Sequence, residues 1–96
     1  MAYLYILRSQ STGRYYVGST AHLEERLRHH NAGGTTSTRN KGPWEFAVVY
    51  RFENKALAMK AERWLKKQKS SRLVELVICG EFAWQADYRS PSRIKP

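Results

Sequence analysis

Cysteine is almost missing: Cys79 is the only one in 96 residues. That count excludes a disulfide within the chain and any multi-cysteine zinc site, and three histidines alone make a poor zinc set. The thiol is expected as a packed residue. Acidic residues are scarce too, eight against seventeen Lys and Arg, which leaves a formal net charge of +9. Such an imbalance suits a phosphate-rich partner, nucleic acid above all, with an anionic membrane as the rival. No apolar run is long enough to span a bilayer and no charged-then-apolar segment opens the chain, so a soluble, cytoplasmic protein with no membrane partner is expected. The length allows one modest core and therefore one domain. Internal repeats and low-complexity tracts are absent from the sequence.

What is present begins with aromatic strands. Residues 2 to 8 carry Tyr3, Tyr5 and Leu7 on one face and Leu4 and Ile6 on the other, the pattern of a strand buried on both sides. A polar run from Ser9 to Gly13 interrupts, and Arg14 to Gly18 resumes, which predicts a hairpin with a loop of several residues. Ser19 or Thr20 can cap a first helix with Leu23 and Leu27 on its stripe, ended by Asn31-Ala32-Gly33-Gly34. His22, Arg26 and His30 recur every fourth residue along one side of it. Gly33 to Pro43 offers nothing to bury and reads as a mobile basic loop. Trp44 to Phe52 alternates less cleanly but is dense in branched and aromatic residues, and reads as a third, central strand. Asn54 can cap a second helix with Leu57, Ala61, Trp64 and Leu65 inward, and Ser70 or Ser71 a third with Leu73, Val74, Leu76 and Val77, closed by Gly80. Glu81 to Pro96 loses periodicity and reads as a loosely packed tail, docked through Phe82 and Trp84.

Several of these residues could do phosphodiester chemistry, which needs a base, a cation and, in many solutions, a divalent metal. Tyr5 and Tyr16 are phenols on adjacent strands, and a nearby cation could bring one of them toward proton transfer. Gly18 leaves room for a close approach. Arg26 keeps its charge and its planar fork matches phosphate oxygens, although Glu24 and Glu25 offer it ordinary surface partners. Glu62 supplies a hard oxygen, enough for magnesium with its retained waters, and is equally placed for an i, i+4 pair with Lys66. His30 can carry a proton or simply stand as a polar residue near a helix end. Six cations fall between residues 60 and 72 with Glu62 the sole acid, and a solvated face is the plain explanation for them.

Those residues, in that order, resemble the GIY-YIG nuclease superfamily. Tyr3-Leu4-Tyr5 stands where such domains have Gly-Ile-Tyr, and Tyr16-Val17-Gly18 where they have Tyr-Ile-Gly. Gly18-Ser19-Thr20 leading to Leu23, Arg26 and His30 resembles their first helix, and Glu62 falls where their metal-binding glutamate is expected. Tyr3 replaces the glycine of the first motif. The resemblance covers residues 2 to about 78 and is strongest with small stand-alone bacterial members, so a domain at 1–80 and a tail at 81–96 are expected. It implies an α+β fold, a three-stranded antiparallel sheet flanked by three helices in the order β-β-α-β-α-α. It also implies Tyr5 as general base helped by Tyr16, Arg26 on the phosphate, His30 orienting water or sharing proton work, and Glu62 on a single Mg2+ or Mn2+ ion. Gly18 would let the substrate backbone approach. Arg39 and Lys41 in the basic loop, with Lys66, Lys67 and Lys69, would grip nucleic acid.

The expected function is a metal-dependent endonuclease acting on structured, branched or damaged DNA. A nucleic-acid-binding module that keeps the fold but cuts poorly or not at all is the alternative, and a basic accessory protein for an acidic protein partner is the third reading. One site nicks one strand, for which a monomer suffices.

Overall fold

A computed structural model describes residues 1–36 and 38–94; Ser37 of the basic loop and Lys95 and Pro96 of the tail lie outside the described residues. Alternating side chains set the sheet. β1 (Ala2–Ser9) runs antiparallel to β2 (Tyr15–Thr20) on one side and to β3 (Trp44–Phe52) on the other. A short β4 (Ser92–Ile94) pairs with β3, giving the order β2-β1-β3-β4. Helix α1 (Leu23–Asn31) follows the hairpin, α2 (Lys55–Gln68) and α3 (Ser71–Cys79) follow β3, and a 3-10 turn (Ala86–Tyr88) precedes β4. The α+β class, the antiparallel sheet and the three helices match expectation. The strand count does not, because four strands are present rather than three. β4 is only Ser-Arg-Ile, too short to show an alternation.

β1 is buried on both faces, with Leu4, Ile6 and Leu7 fully enclosed and Tyr5 2% exposed. Leu4 and Ile6 join Val17, Val48, Tyr50 and Phe52 under α2 and α3, whereas Tyr5 and Leu7 join Trp44 and Val49 on the face that packs Leu23 and Leu27 of α1. The untidy alternation of β3 has a local cause. Ile6 is opposite Val48 but Leu7 is opposite Phe46, so Ala47 is an extra residue in a β-bulge and the facing of β3 shifts there.

Helix ends follow their side chains. Asn54 accepts from Leu57 N–H and Ser70 from Leu73 N–H, while Gly80 closes α3 with φ +83°. α1 differs from expectation: His22 is its N-cap without a side-chain bond, and Thr20 Oγ1 accepts from His22 N–H just before the helix. Leu76, expected inside, is 37% exposed, and Ile78 packs against the core in its place. Cys79 is exposed rather than packed.

Beyond Gly80 the chain lies closely on the body. Phe82, Trp84 and Tyr88 extend the core beneath Tyr50 and Phe52, with Tyr88 6% exposed. Lys60 pairs with Asp87 and Arg89 with Glu53 at its surface. Arg93 donates to Ile78 O, satisfying a carbonyl at the end of α3. Among the described residues no helix is long and apolar enough to cross a membrane.

Candidate active site

β2 has a sheet neighbour on one side only, so its outer edge is free among the described residues, and the chemistry-bearing side chains gather around that edge. Hairpin register does the first part. Tyr5 is opposite Gly18 and Leu7 opposite Tyr16, so Tyr5, Gly18 and Tyr16 share one face, with the two phenol rings 6.4 Å apart. Gly18 is buried, and a Cβ there would stand 2.9 Å from Tyr5 Cε1 and nearer still to its Cζ and Oη. The space is therefore occupied by the Tyr5 ring. This corrects the expectation that Gly18 admits a nucleic-acid backbone: its missing side chain seats the phenol.

α1 then brings His30 inward from its last turn. His30 is 2% exposed, its ring 4.8 Å from Tyr16 and 5.9 Å from Tyr5. Its Nε2 is 2.9 Å from Tyr5 Oη and its Nδ1 2.8 Å from Thr38 Oγ1. Thr38 Oγ1 donates in turn to Thr35 O at 3.4 Å, which leaves it to accept from His30. The network thus assigns Nδ1–H to the imidazole and makes Nε2 the acceptor of the Tyr5 proton. Burial is the main cause holding the His30 pKa down, to about 4, with Arg26, His29 and Lys66 adding to it, so the ring is neutral at pH 7. Burial first, then Tyr16, pushes the Tyr5 phenol well above its ordinary 10.0, while the Arg26 charge opposes that rise.

Thr38 was not anticipated. The loop expected to bury nothing holds it at 1% exposure, and Trp44 Nε1 donates to Thr38 O at 3.0 Å. Four hydroxyl residues in a row from Thr35 gave no local sign of which one turns inward. The loop is also stitched to the β1–β2 turn, where Ser9 and Ser11 hydroxyls both donate to Lys41 O. Arg39 is exposed and its Nε donates to Gly33 O, while Lys41 is half-buried.

Glu62 arrives from the opposite face of the sheet, on α2, and meets the cluster at the β2 edge. Ser19 Oγ donates to Glu62 Oε1 at 2.5 Å, and Lys66 Nζ donates to Oε2 at 2.7 Å. The same Lys66 ammonium lies 5.0 Å from the centre of the Tyr16 ring, so one cation touches both halves of the cluster. Ser19, the second unanticipated member, carried a signal in its position next to Gly18. Arg26 is exposed and makes no ion pair with Glu24 or Glu25, leaving its guanidinium over a pocket shared with Thr20, His22, Glu25 and His29. Lys67 and Lys69 are exposed, and Lys69 lines the same groove as Lys66.

Among the described residues no three His, Cys, Asp or Glu side chains converge as a metal-binding group. Glu62 is a single hard donor, 21% exposed. One carboxylate fits an ion that keeps most of its waters, as magnesium does, provided the exposed Lys66 swings off Oε2.

A phenol bonded to a neutral imidazole, an exposed guanidinium and one partly exposed carboxylate thus lie near one sheet edge of a strongly basic α+β domain. A family model described as the GIY-YIG catalytic domain matches residues 1–74, and the chain belongs to that family. UPF0213 protein CPE1444 of Clostridium perfringens is 36% identical over 78 residues, covering 80% of this chain and 83% of that one. Structure-specific endonuclease subunit slx1 of Schizosaccharomyces pombe is 44% identical over 59 residues, 57% of this chain and 22% of that protein. The chain spans only 22% to 27% of the first such endonuclease subunits it matches. Among solved structures, that of the UPF0213 protein BH0048 from Bacillus halodurans matches with a TM-score of 0.50 and 32% identity, covering 82% of this chain and 84% of that one.

Proposed function

We propose that the protein is a divalent-metal-dependent endonuclease that hydrolyses phosphodiester bonds in structured or branched DNA. The observation that carries this is the Tyr5–His30 pair: a buried phenol whose proton already points at a neutral ring nitrogen, beside an exposed Arg26. Free phenolate is scarce at neutral pH when the phenol pKa lies well above 10. Tyr5 therefore takes a proton from the attacking water as it gives its own to His30 Nε2, and Thr38 holds the imidazole in the tautomer this requires. Negative charge from a bound phosphate favours the resulting imidazolium. Tyr16, ringed by Tyr5, His30 and Lys66, positions the water. Arg26 neutralises charge gathering on the phosphate oxygens. Glu62 would hold one Mg2+ or Mn2+ ion, steadied by Ser19, and the ion would supply stabilisation of the leaving 3′ oxygen.

The preference for structured DNA rests on the relatives named as structure-specific endonuclease subunits. The experiment is incubation of the protein with supercoiled plasmid, linear duplex and branched DNA, each with magnesium, manganese or chelator. Nicking of the branched substrate that needs metal and disappears in Glu62→Ala is expected. If no substrate is cut while DNA still binds, the protein is a binding module on a nuclease fold. If nucleic acid fails to bind at low salt, a protein partner takes its place.

A further inference from the structure

One large groove adjoins the candidate site and extends beyond it. It runs between the β1–β2 turn and the junction of α2 with α3, has a volume of about 690 Å³, and starts at two members of the candidate site, Tyr16 and Lys66. From there it continues past Tyr15 to Arg14 and Lys69. Three cations line it against one acid, Glu75. Among the described residues Arg14 and Lys69 make no ion pair, and Lys66 pairs with Glu62 of the site itself. Lys69 has a second peculiarity. It closes α2 with φ +50° and ψ +40°, a left-handed position where glycine or asparagine is the unstrained choice. A long cationic side chain is held there at a cost of about 1 kcal/mol.

We propose that this groove holds a single nucleic-acid strand flanking the scissile phosphate, with Arg14 and Lys69 on its phosphates and the Tyr15 ring against a base. The proposal rests on the nuclease reading of the adjoining site and adds to it where the flanking strand runs. Charge complementarity selects a polyanion. The groove lies open to solvent between a hairpin and two helices, and the half-buried Tyr15 ring, backed by the core, lies among the cations, an arrangement that fits an unpaired strand. A substrate with an unpaired arm next to the cut is then gripped on both sides of the edge strand, which gives a small domain a preference for DNA with junctions.

The test is fluorescence anisotropy without metal, comparing a blunt duplex with the same duplex carrying a short single-stranded arm. Wild type binds the armed DNA more tightly. Arg14→Gln with Lys69→Gly removes most of that advantage, about tenfold, and lowers the slope of log affinity against log salt by about 1.4, the release expected for two single-strand phosphate contacts. Lys69→Gly also separates binding from folding, because glycine relieves the left-handed backbone and thermal stability holds or rises while affinity falls. Equal affinity of wild type and variants for the armed DNA overturns the proposal. So does an equal loss for blunt and armed DNA, which would put a duplex in the groove. Variants that lose the arm preference on a protein that never cuts leave the groove standing and remove the nuclease reading; cutting of armed DNA with unaltered affinity does the reverse.

Discussion

Leu4 and Ile6 of β1 enter one face of the sheet and Tyr5 and Leu7 the other, and the two surroundings differ in kind. Under α2, α3 and the C-terminal segment the packing is rings against aliphatic chains. Trp84 stands edge-on to Phe82, Phe52, Tyr50 and Tyr88 with centroids 4.9 to 5.5 Å apart. Tyr50 Oη, donating to Val77 O, is a rare polar link there, and Trp84 Nε1 is buried without a well-formed hydrogen bond among the described residues. Toward α1 the interior is polar and connected, running from Tyr5 through His30 and Thr38 to Trp44. The first face accepts a poorly bonded donor because the surrounding apolar burial is large. The second spends burial on groups that gain little net stability from it and acquire shifted proton affinities instead. Stability and reactivity are thus divided between the two sides of one strand.

That division breaks most visibly with Phe52→Ala, which should cost about 3–5 kcal/mol in urea unfolding, a large share of the stability of a domain this size. Cleavage per folded molecule should stay near wild type. If Tyr5→Phe destabilises as much as Phe52→Ala, the two faces are not divided in this way.

The next effect comes from His30. Its folded pKa, about 4, lies below the ordinary 6.5, so the unfolded chain takes up the proton first. The His30 contribution is therefore favourable above about pH 6.5 and is lost as pH falls toward 4. Between pH 7 and pH 4.5 wild type should lose on the order of 2–3 kcal/mol more than His30→Gln in parallel urea titrations. Equal losses would mean that the ring titrates normally and is not held neutral by its pocket.

A smaller change sharpens the boundary at Gly18. In Gly18→Ala the new methyl meets the Tyr5 ring, itself hemmed in by Tyr16, His30 and Phe46. Overpacking of this kind costs about 1–3 kcal/mol. Because it displaces the phenol, cleavage should fall about 100-fold, more than its stability cost alone would cause. Full activity in a folded Gly18→Ala protein would show that the phenol position does not matter.

Much of this layout is legible in the residues. Period-two patterning marks β1 as doubly buried, Asn54 and Ser70 mark helix starts, and Gly80 marks an end, because each acts through its own backbone or side chain. The third strand is legible as a strand but not in its facing, since the bulge at Ala47 arises from pairing with β1. β4 and the docking of Tyr88 are illegible for the same reason: three residues have no period, and their partners lie on β3 and α2. Within the site, family resemblance pointed to Tyr5, Tyr16, Arg26, His30 and Glu62, and the structure brings four of them into contact, directly or through Lys66. Arg26 stands at the rim. Thr38 is illegible because its role consists entirely of what it faces, whereas Ser19 has a cue in its place beside Gly18 but its partner Glu62 lies on another element. Gly18 was assigned to the substrate, and only the hairpin register shows that its space belongs to Tyr5.

The proton path from Tyr5 to His30 is tested most directly by single-turnover cleavage of a branched DNA with saturating protein and manganese, comparing wild type with Tyr5→Phe. The substitution removes one oxygen from a packed ring. The rate should fall by about 1,000-fold, roughly 4 kcal/mol in the barrier, with DNA affinity unchanged. A Tyr5→Phe rate within about tenfold of wild type, roughly 1.4 kcal/mol, would contradict a role for this phenol in moving the proton.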